Sequence, residues 1–290
     1  MAPINAATEA DFDAVLAVAR PNLVKQQMEA GQIAHSLGLR IVLSTEIAPM
    51  AQRAGYHALL MNLEHSATGL ETASAVSTAC LNVGITPMVV VPTNSQEWIS
   101  RSLDAGAQAV IVPHVDTVAG AISAVNAAKY PPVGKRSITM FNAITQYTTG
   151  LHYDAMAKVS NDTTLIMPMI ETREGLDNVK EIAAVNGIDV LLVGCGDLCV
   201  DLGIPNDHDS PIFHDAIAQV AAAADAASTP NRKVFVGLGG MEARPELMEK
   251  LVKQYSCIRY LMAGRDIVHL FNGMKAQAQK MAEMNERVQS

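Results

Sequence analysis

The stretch "LIMPMIETREGLDNVKEIAAVNGIDVLLVGCGDL", residues 165–198, has the pattern of a strand, a helix and a second strand. Its apolar runs, 165–170 and 190–193, are continuous rather than alternating, as expected of parallel strands that are covered on both faces. The segment between them places apolar residues at helical spacing. The first run stops at Glu171, and Asp197 closely follows the second. The stretch therefore predicts one unit of a parallel α/β fold with carboxylates at adjacent strand ends.

The same alternation of strand and helix recurs along most of the chain. Segments such as "SQEWISRSLDAGA" and "PELMEKLVKQYS" separate the apolar runs and have helical periodicity. Eight strand–helix units in 290 residues predict a single-domain α/β fold, the (β/α)8 TIM barrel. An open doubly wound sheet is the alternative, but no Gly-rich dinucleotide motif follows the first strand. The predicted strands are residues 40–43, 58–61, 87–91, 109–113, 165–170, 190–193, 234–238 and 259–264.

Two segments fall outside this repeat. Residues 1–38 are predicted to form an N-terminal helical extension, whose second helix covers residues 22–38, and residues 39–290 are predicted to form the barrel domain. The stretch 130–164 contains no apolar run of barrel type. Because long excursions from a compact domain are often functional, we expect this stretch to act as a lid.

The composition, 49% hydrophobic and 17% charged with a net charge of −8, is typical of a soluble globular protein. No basic run offers a surface for nucleic acid or an anionic membrane, so a small acidic molecule is the expected partner. No apolar run approaches the roughly 18 residues of a membrane span, and the first twenty residues carry acids where a signal peptide would carry bases. We expect a cytoplasmic protein.

The four cysteines are too few and too scattered for a disulfide framework. Cys195 and Cys199 flank a short Gly-Asp-Leu segment, which leaves metal ligation or redox chemistry open, but no second Cys/His pair has zinc spacing. Buried free thiols are the simpler interpretation of Cys80, Cys195, Cys199 and Cys257.

Active sites of (β/α)8 barrels lie at the carboxyl ends of the strands, where Glu171 and Asp197 are predicted to meet. Two carboxylates in one mouth repel each other unless a cation or a proton lies between them. A hard divalent ion that takes further ligands from water and substrate resolves this repulsion, and capped or salt-bridged acids are the alternative. The glycines of "VGCGDL" would let backbone N–H groups converge on an anion.

Two histidines follow predicted strands. His65 follows the second strand and is a candidate proton shuttle, and His114 follows the fourth; either could instead be structural. No lysine follows any of the eight runs. An aldolase of the Schiff-base type needs a desolvated lysine at the mouth, so carbanion chemistry here would require a metal instead.

Several motifs together resemble the HpcH/HpaI aldolase/citrate lyase family of metal-dependent pyruvate aldolases. They are "LEH", "LDAGAQAVIVPHVDTVAGAISAVNAAKYPPVGKRS", "IETREGLDNVKEIAAVNGIDVLLVGCGDLCVDLG" and "IRYLMAGRD", in the family's order and spacing. The resemblance implies a barrel in which Glu171 and Asp197 bind Mg²⁺, or else Mn²⁺ or Co²⁺. It further implies that the ion chelates a 2-oxo acid and stabilises an enolate. The substrate carboxylate would meet the amides of Gly196 and Asp197, and His65 would be the acid/base residue.

The sequence departs from the family pattern at three positions. Val90 stands where the family has an arginine that contacts the keto oxygen, Asn62 where it has the aspartate that partners the histidine, and Met169 where it has a glutamine. Valine cannot stabilise developing charge, and Asn62 can orient His65 without stabilising its cation.

These departures leave three functions open. A carbon–carbon lyase of the aldolase type is the interpretation we favour. Oxaloacetate-type decarboxylation needs less proton transfer, and a repurposed barrel that only binds an acidic metabolite is the third possibility. For the missing arginine, either the substrate differs, or His114, Asn94 or Arg136 takes over its role, or activity is lost; Arg136 is our candidate for substrate binding.

The C-terminal segment predicts assembly. Residues 267–284, "IVHLFNGMKAQAQKMAEM", carry more apolar residues at helical spacing than a lone surface helix usually exposes. The resemblance implies a homo-oligomer, a hexamer or trimer of dimers, in which this helix is exchanged between subunits. The alternative is that the helix closes its own barrel.

Overall fold

A computed structural model describes residues 6–289 of the chain. Eight parallel strands follow each other in sequence order around a closed barrel, since each strand pairs with its neighbours along the chain and β1 pairs with β8. The prediction of a single-domain (β/α)8 barrel is confirmed. The strands are β1 Ala34–Leu39, β2 Ala58–Asn62, β3 Thr86–Val90, β4 Ala109–Val112, β5 Leu165–Ile170, β6 Val190–Gly194, β7 Phe235–Gly239 and β8 Ile258–Arg265.

Helices surround the strands and precede the barrel. Several begin at a side chain that caps the first turn, as Ser95 and Thr117 do by accepting backbone N–H groups. None of the helices within residues 6–289 combines the length and apolarity that a membrane span requires. The helices are α1 Glu9–Val18, α2 Leu23–Glu29, α3 Ile47–Arg53, α4 Leu70–Val83, α5 Gln96–Asp104, α6 Val118–Ala128, α7 Tyr153–Thr163, α8 Arg173–Asp177, α9 Val179–Ala184, α10 Cys195–Asp201, α11 Pro211–Ala227, α12 Pro245–Gln254 and α13 Asp266–Gln289.

The core has two parts, because side chains of a strand alternate between the barrel interior and the helices. The interior cluster is closed at the amino end of the strands by α2, whose Val24 and Met28 pack among the inward-facing residues. Asn22, which precedes α2, anchors this helix at the amino end of the barrel, since its side-chain amide donates to the carbonyls of Gln108 and Thr163 at 3.0 and 2.9 Å. The carboxyl ends of the strands are left as the open end. All four cysteines are buried and free, as predicted.

The first strand differs from the sequence prediction, which put it at residues 40–43. It is β1, Ala34–Leu39, so most of it falls inside the segment assigned to the N-terminal extension, and the helix predicted over 22–38 ends at Glu29. The inward-facing residues of β1, Ala34, Ser36 and Gly38, are small, and Ser36 is satisfied there by a 2.7 Å hydrogen bond with Tyr260 of β8. Residues 1–5 and 290 of the two predicted segments lie outside the described residues.

The long excursion between β4 and β5 does not cover the open end of its own barrel, so the lid prediction is wrong. Residues 131–152 contain no helix or strand, and part of the segment packs at the amino end instead. There the N–H of Arg20 donates to the carbonyl of Ile144 at 3.0 Å, and the Gln146 side chain donates to the carbonyl of Val18 at 2.8 Å.

Candidate active site

A cavity of about 270 Å³ opens at the carboxyl ends of the strands. Its floor is apolar and includes Leu60, Val90 and Ile111, while its rim carries charged side chains. No lysine is among the described residues that line it, in agreement with the sequence argument against a Schiff base. The remaining lining residues are Gly38, Leu39, Arg40, Asn62, Glu64, His65, Met169, Glu171, Leu192, Gly194, Gly196, Asp197, Gly239, Gly240, Tyr260, Met262 and Arg265.

Glu171 directly follows β5, and its side chain is only 3% exposed. One carboxylate oxygen, Oε1, accepts the backbone N–H of His114 at 2.8 Å. Burial is the main cause that raises the pKa of Glu171; His114 acts in the opposite direction, and the negative charges of Glu64 and Asp197 add to the rise. The carboxylate is therefore held in a place that favours a proton or a cation beside it.

Two glycines shape the space around these acids. A Cβ on Gly194 would lie 2.9 Å from both Cβ and Oε2 of Glu171, so only glycine at the end of β6 leaves room for this carboxylate. Gly240 has a φ of +87°, which favours glycine, and a Cβ there would lie 3.6 Å from the backbone nitrogen of Gly196. Gly196 and Asp197 both line the cavity in the first turn of α10.

The donor set fits a hard divalent cation. Carboxylate oxygens are the ligands such ions prefer, and a cation near Glu171 would relieve the repulsion from Glu64 and Asp197. Within residues 6–289, no group of three or more His, Cys, Asp or Glu side chains is arranged to hold a metal ion. Glu171 and Asp197 are the carboxylates of the cavity that could hold such an ion, with water and substrate oxygens completing the coordination.

His65 lies on the rim with its side chain 57% exposed. Asn62 was expected to orient the imidazole, but its Oδ1 accepts the backbone N–H of His65 at 2.8 Å. The nearest acid to the ring is Glu64, whose Oε2 lies 3.5 Å from Nε2 of His65. Asn62 thus fixes the turn after β2, and Glu64 occupies the place beside the imidazole that sequence reasoning gave to residue 62.

His114 lies beside the same acids. Its Nδ1 is 3.3 Å from Oε1 of Glu171, and its Nε2 is 3.9 Å from Oε1 of Glu64. The residue has a φ of +50°, a left-handed backbone conformation that is unfavourable for any residue other than glycine. This conformation allows the backbone N–H and the ring of one residue to face Glu171 together.

Arg136, predicted to bind substrate, lies away from the cavity. Its guanidinium is buried, pairs with Asp104 at 2.6 Å and stacks over the ring of Tyr130 at 4.7 Å from the centroid. Asp104 ends α5, a helix that returns from the carboxyl end of β3 to the amino end of β4. Arg136 therefore stabilises the excursion at the outside of the barrel. Asn94, the other suggested substitute, donates to the carbonyl of Gly120 at 3.0 Å and does not line the cavity.

Sequence reasoning missed three charged residues of the rim. Arg40 follows β1, Glu64 lies in the turn after β2, and Arg265 ends β8. Each lies within two residues of the carboxyl end of a strand, and proximity to a strand end is the signal that identified Glu171. Arg40 was overlooked because it was assigned to the first strand itself. Val90 and Met169 both line the cavity, so two of the three departures from the family pattern make its wall apolar.

Comparisons with known proteins agree with this architecture. A family model described as HpcH/HpaI aldolase/citrate lyase matches residues 43–235. The 4-hydroxy-4-methyl-2-oxoglutarate aldolase cghB of Chaetomium globosum is 33% identical over 250 residues, which cover 84% of this chain and 89% of the relative.

Solved structures share the fold. An HpcH/HpaI aldolase from Desulfitobacterium hafniense aligns with a TM-score of 0.80 over 91% of this chain and 97% of that chain, at 23% identity. Macrophomate synthase aligns with a TM-score of 0.72 over 98% of this chain and 95% of that chain, at 24% identity. Because the family model spans most of the barrel and a relative is one third identical along most of both chains, this chain belongs to the HpcH/HpaI aldolase/citrate lyase family.

Proposed function

We propose that this chain is a divalent-metal-dependent aldolase that cleaves or forms a carbon–carbon bond in a 2-oxo acid. Its family makes it a carbon–carbon lyase of the aldolase type, as the sequence predicted. The observation that carries the metal-dependent mechanism is the buried carboxylate of Glu171, which faces the cavity beside the negative charge of Asp197. A buried acid among other acids is costly unless a cation neutralises it.

Glu171 and Asp197 would hold the ion, with Mg²⁺ the first choice and Mn²⁺ or Co²⁺ as substitutes. Such an ion supplies Lewis-acid polarisation of the 2-oxo group. The N–H of His114 keeps Glu171 in one orientation, and the absence of a side chain at Gly194 gives its carboxylate the space to face the cavity. The amides of Gly196 and Asp197, at the start of α10, would bind the carboxylate next to the 2-oxo group.

His65 is the residue that would move the proton. Its exposed imidazole lies at the rim, and Oε2 of Glu64 lies 3.5 Å from its Nε2. Asn62 holds the backbone of His65 and so fixes where the ring can reach. In the family pattern an aspartate at the position of Asn62 partners the histidine. In this chain Glu64 takes that place beside His65, and the two together supply the acid/base function.

The substrate we propose is 4-hydroxy-4-methyl-2-oxoglutarate or a closely similar acid. The C. globosum relative is named for that substrate. The apolar floor around Val90, Met169 and Ile111 suits a short carbon skeleton, and the cavity is large enough for a small acid. Cleavage of this acid between C3 and C4 gives two molecules of pyruvate, with the hydroxyl proton of C4 transferred in the process to C3.

Asn62 favours one second candidate, decarboxylation of an oxaloacetate-type acid. The family pattern has an aspartate at this position that stabilises the cationic histidine, whereas Asn62 accepts the backbone N–H of His65. Loss of CO₂ leads to the same enolate as aldol cleavage but does not require removal of a hydroxyl proton. Decarboxylation therefore depends less on the missing aspartate.

The two candidates are separated by their products. The purified protein with Mg²⁺ is offered 4-hydroxy-4-methyl-2-oxoglutarate and, separately, oxaloacetate, and pyruvate and CO₂ are both quantified against the background rate without protein. Pyruvate from the first acid without CO₂, abolished by a chelator, supports the aldolase. Release of CO₂ from oxaloacetate alone supports the decarboxylase, and no metal-dependent product from either acid refutes both.

We further infer that the protein assembles through α13. Of this 24-residue helix only Asp266 is buried, and Ile267, Val268, Phe271 and Met274 are all exposed. A helix with so many exposed apolar side chains is typical of one that packs against another chain. Exchange of this helix between copies, in a hexamer or trimer of dimers, would cover the stripe in each subunit.

A further inference from the structure

We propose that Arg40 binds a second, distal carboxylate of the substrate, so that the site selects dicarboxylic 2-oxo acids over monocarboxylic ones. This inference rests on the proposed function, because it assumes that the 2-oxo head of the substrate is held at Glu171 and Asp197. It concerns the opposite wall of the cavity, which the catalytic argument does not use.

The position of Arg40 follows from the strand order. In a closed barrel of eight strands numbered in sequence, β1 lies across from β5. Arg40 follows β1 and Glu171 follows β5, and both side chains line the same cavity. A ligand whose head contacts Glu171 and Asp197 therefore extends its far end toward Arg40.

The charge of Arg40 is available. Its Nη1 donates to the backbone carbonyl of His65 at 2.8 Å, and this contact leaves most of the guanidinium donors unused. No acidic side chain in the part of the chain that the structure describes forms a salt bridge with Arg40. Arg265, the neighbouring cation on the rim, is different, because its Nε pairs with Oε1 of Glu242 at 2.9 Å.

Arg40 is also held in place before any ligand arrives. Asp266, the first residue of α13 directly after β8, accepts the backbone N–H groups of Arg40, Ile41 and Val42 at 2.9, 2.9 and 2.7 Å. The carbonyl of His65 holds the other end of the residue, its guanidinium. A side chain fixed at both ends loses little conformational entropy when it binds an anion, and guanidinium groups match carboxylates in geometry.

The cavity between Glu171 and Arg40 has an apolar floor. Leu60, Val90 and Ile111 line it and offer no charge, so the groups that can pair with ligand charges lie at its two ends. A short acid with charge at both ends and carbon between them complements this arrangement, whereas a monocarboxylic acid would place a methyl group against an unpaired guanidinium.

The test compares two ligands that differ only at the far end. 2-Oxoglutarate and 2-oxovalerate have the same carbon number and the same 2-oxo head, and the second has a methyl group where the first has its distal carboxylate. Calorimetric titration with Mg²⁺ should show that the wild-type protein binds 2-oxoglutarate about tenfold or more tightly, the range of a hydrogen bond to a charged group.

Arg40→Met should remove this preference by weakening the binding of 2-oxoglutarate alone. Arg40→Lys should keep part of the preference, and it provides the test if Arg40→Met does not fold. Arg265→Met is the matched control and should keep the preference, because Glu242 already neutralises that guanidinium. A preference that survives in Arg40→Met, or that disappears in Arg265→Met instead, overturns the proposal. If Arg40→Met weakens the binding of both ligands equally, the proposal is also overturned, since Arg40 would then contact the 2-oxo head that the two ligands share.

Failure of the underlying function looks different. If a metal ion holds the 2-oxo head, a chelator weakens the binding of both ligands alike. Should the wild-type protein bind both acids equally well and only with the metal, the metal site stands and the role of Arg40 falls. Should neither acid bind, or should binding ignore the chelator, the proposed function falls and the role of Arg40 falls with it.

Discussion

The carboxylate of Asp266 accepts the backbone N–H of Arg40 at 2.9 Å, across the seam where β8 meets β1. The same carboxylate accepts the next two backbone N–H groups, and Asp266 is 3% exposed. The contact thus extends the pairing of β1 with β8 and at the same time places the one rim arginine that has no acidic partner among the described residues. One side chain here contributes both to the closure of the fold and to the shape of the site.

Replacement of Asp266 by alanine should destabilise the protein by about 2–4 kcal/mol, because three partly buried N–H groups lose a charged acceptor. Urea unfolding should show this as a lower midpoint with an unchanged slope. Asp266→Asn retains one acceptor oxygen and should lose less. Equal midpoints for the wild-type protein and Asp266→Ala would show that water replaces these contacts without cost.

Glu171→Gln and Asp197→Asn should each weaken Mg²⁺ or Mn²⁺ binding at least about tenfold, since each removes a charged oxygen ligand. Titration calorimetry with the metal alone measures this effect. Asp201→Asn is the matched control, because Asp201 lies one turn further along α10, exposed and outside the cavity lining. Unchanged metal binding in a Glu171→Ala, Asp197→Ala double variant would refute the assignment of the ligands.

Val90→Arg should increase the exchange of pyruvate methyl protons for deuterium, at least about tenfold, because it restores a donor for charge on the 2-oxo oxygen. Exchange is followed by NMR with and without metal. Val90→Met changes the size without adding a donor and should give no increase. Val90 is 2% exposed, so the arginine variant should also be less stable. Rapid pyruvate exchange by the native protein would show that Val90 is no obstacle.

The sequence predicted the fold well where local pattern decides it. The apolar run 165–170 is β5 as predicted, and the other strands after β1 agree within one residue at their ends. β1 was missed because it lacks such a run. Its polar Ser36 is satisfied only by Tyr260 at the far end of the chain, and Ile41 in the predicted strand is 54% exposed. A long-range partner of this kind leaves no local signal.

The site residues that the sequence located correctly are also those with a local signal. Glu171, Asp197, His65 and His114 all lie at the open end of the barrel, and each could be placed there because it closely follows an apolar run in the sequence. Arg136 was misplaced because the segment that carries it has no periodic pattern, and its position depends on Asp104 and Tyr130.

Disruption of the exposed apolar stripe of α13 should reduce the assembly. The native protein should have a mass several times 30.8 kDa by light scattering at micromolar concentration. Phe271→Glu combined with Met274→Glu should shift it toward the single-chain mass, because both side chains are more than half exposed and would be buried only by another copy. Glu283→Gln, on the same helix but polar in both forms, should leave the mass unchanged. A native mass near 30.8 kDa would show that α13 has no partner chain and that exchange does not occur.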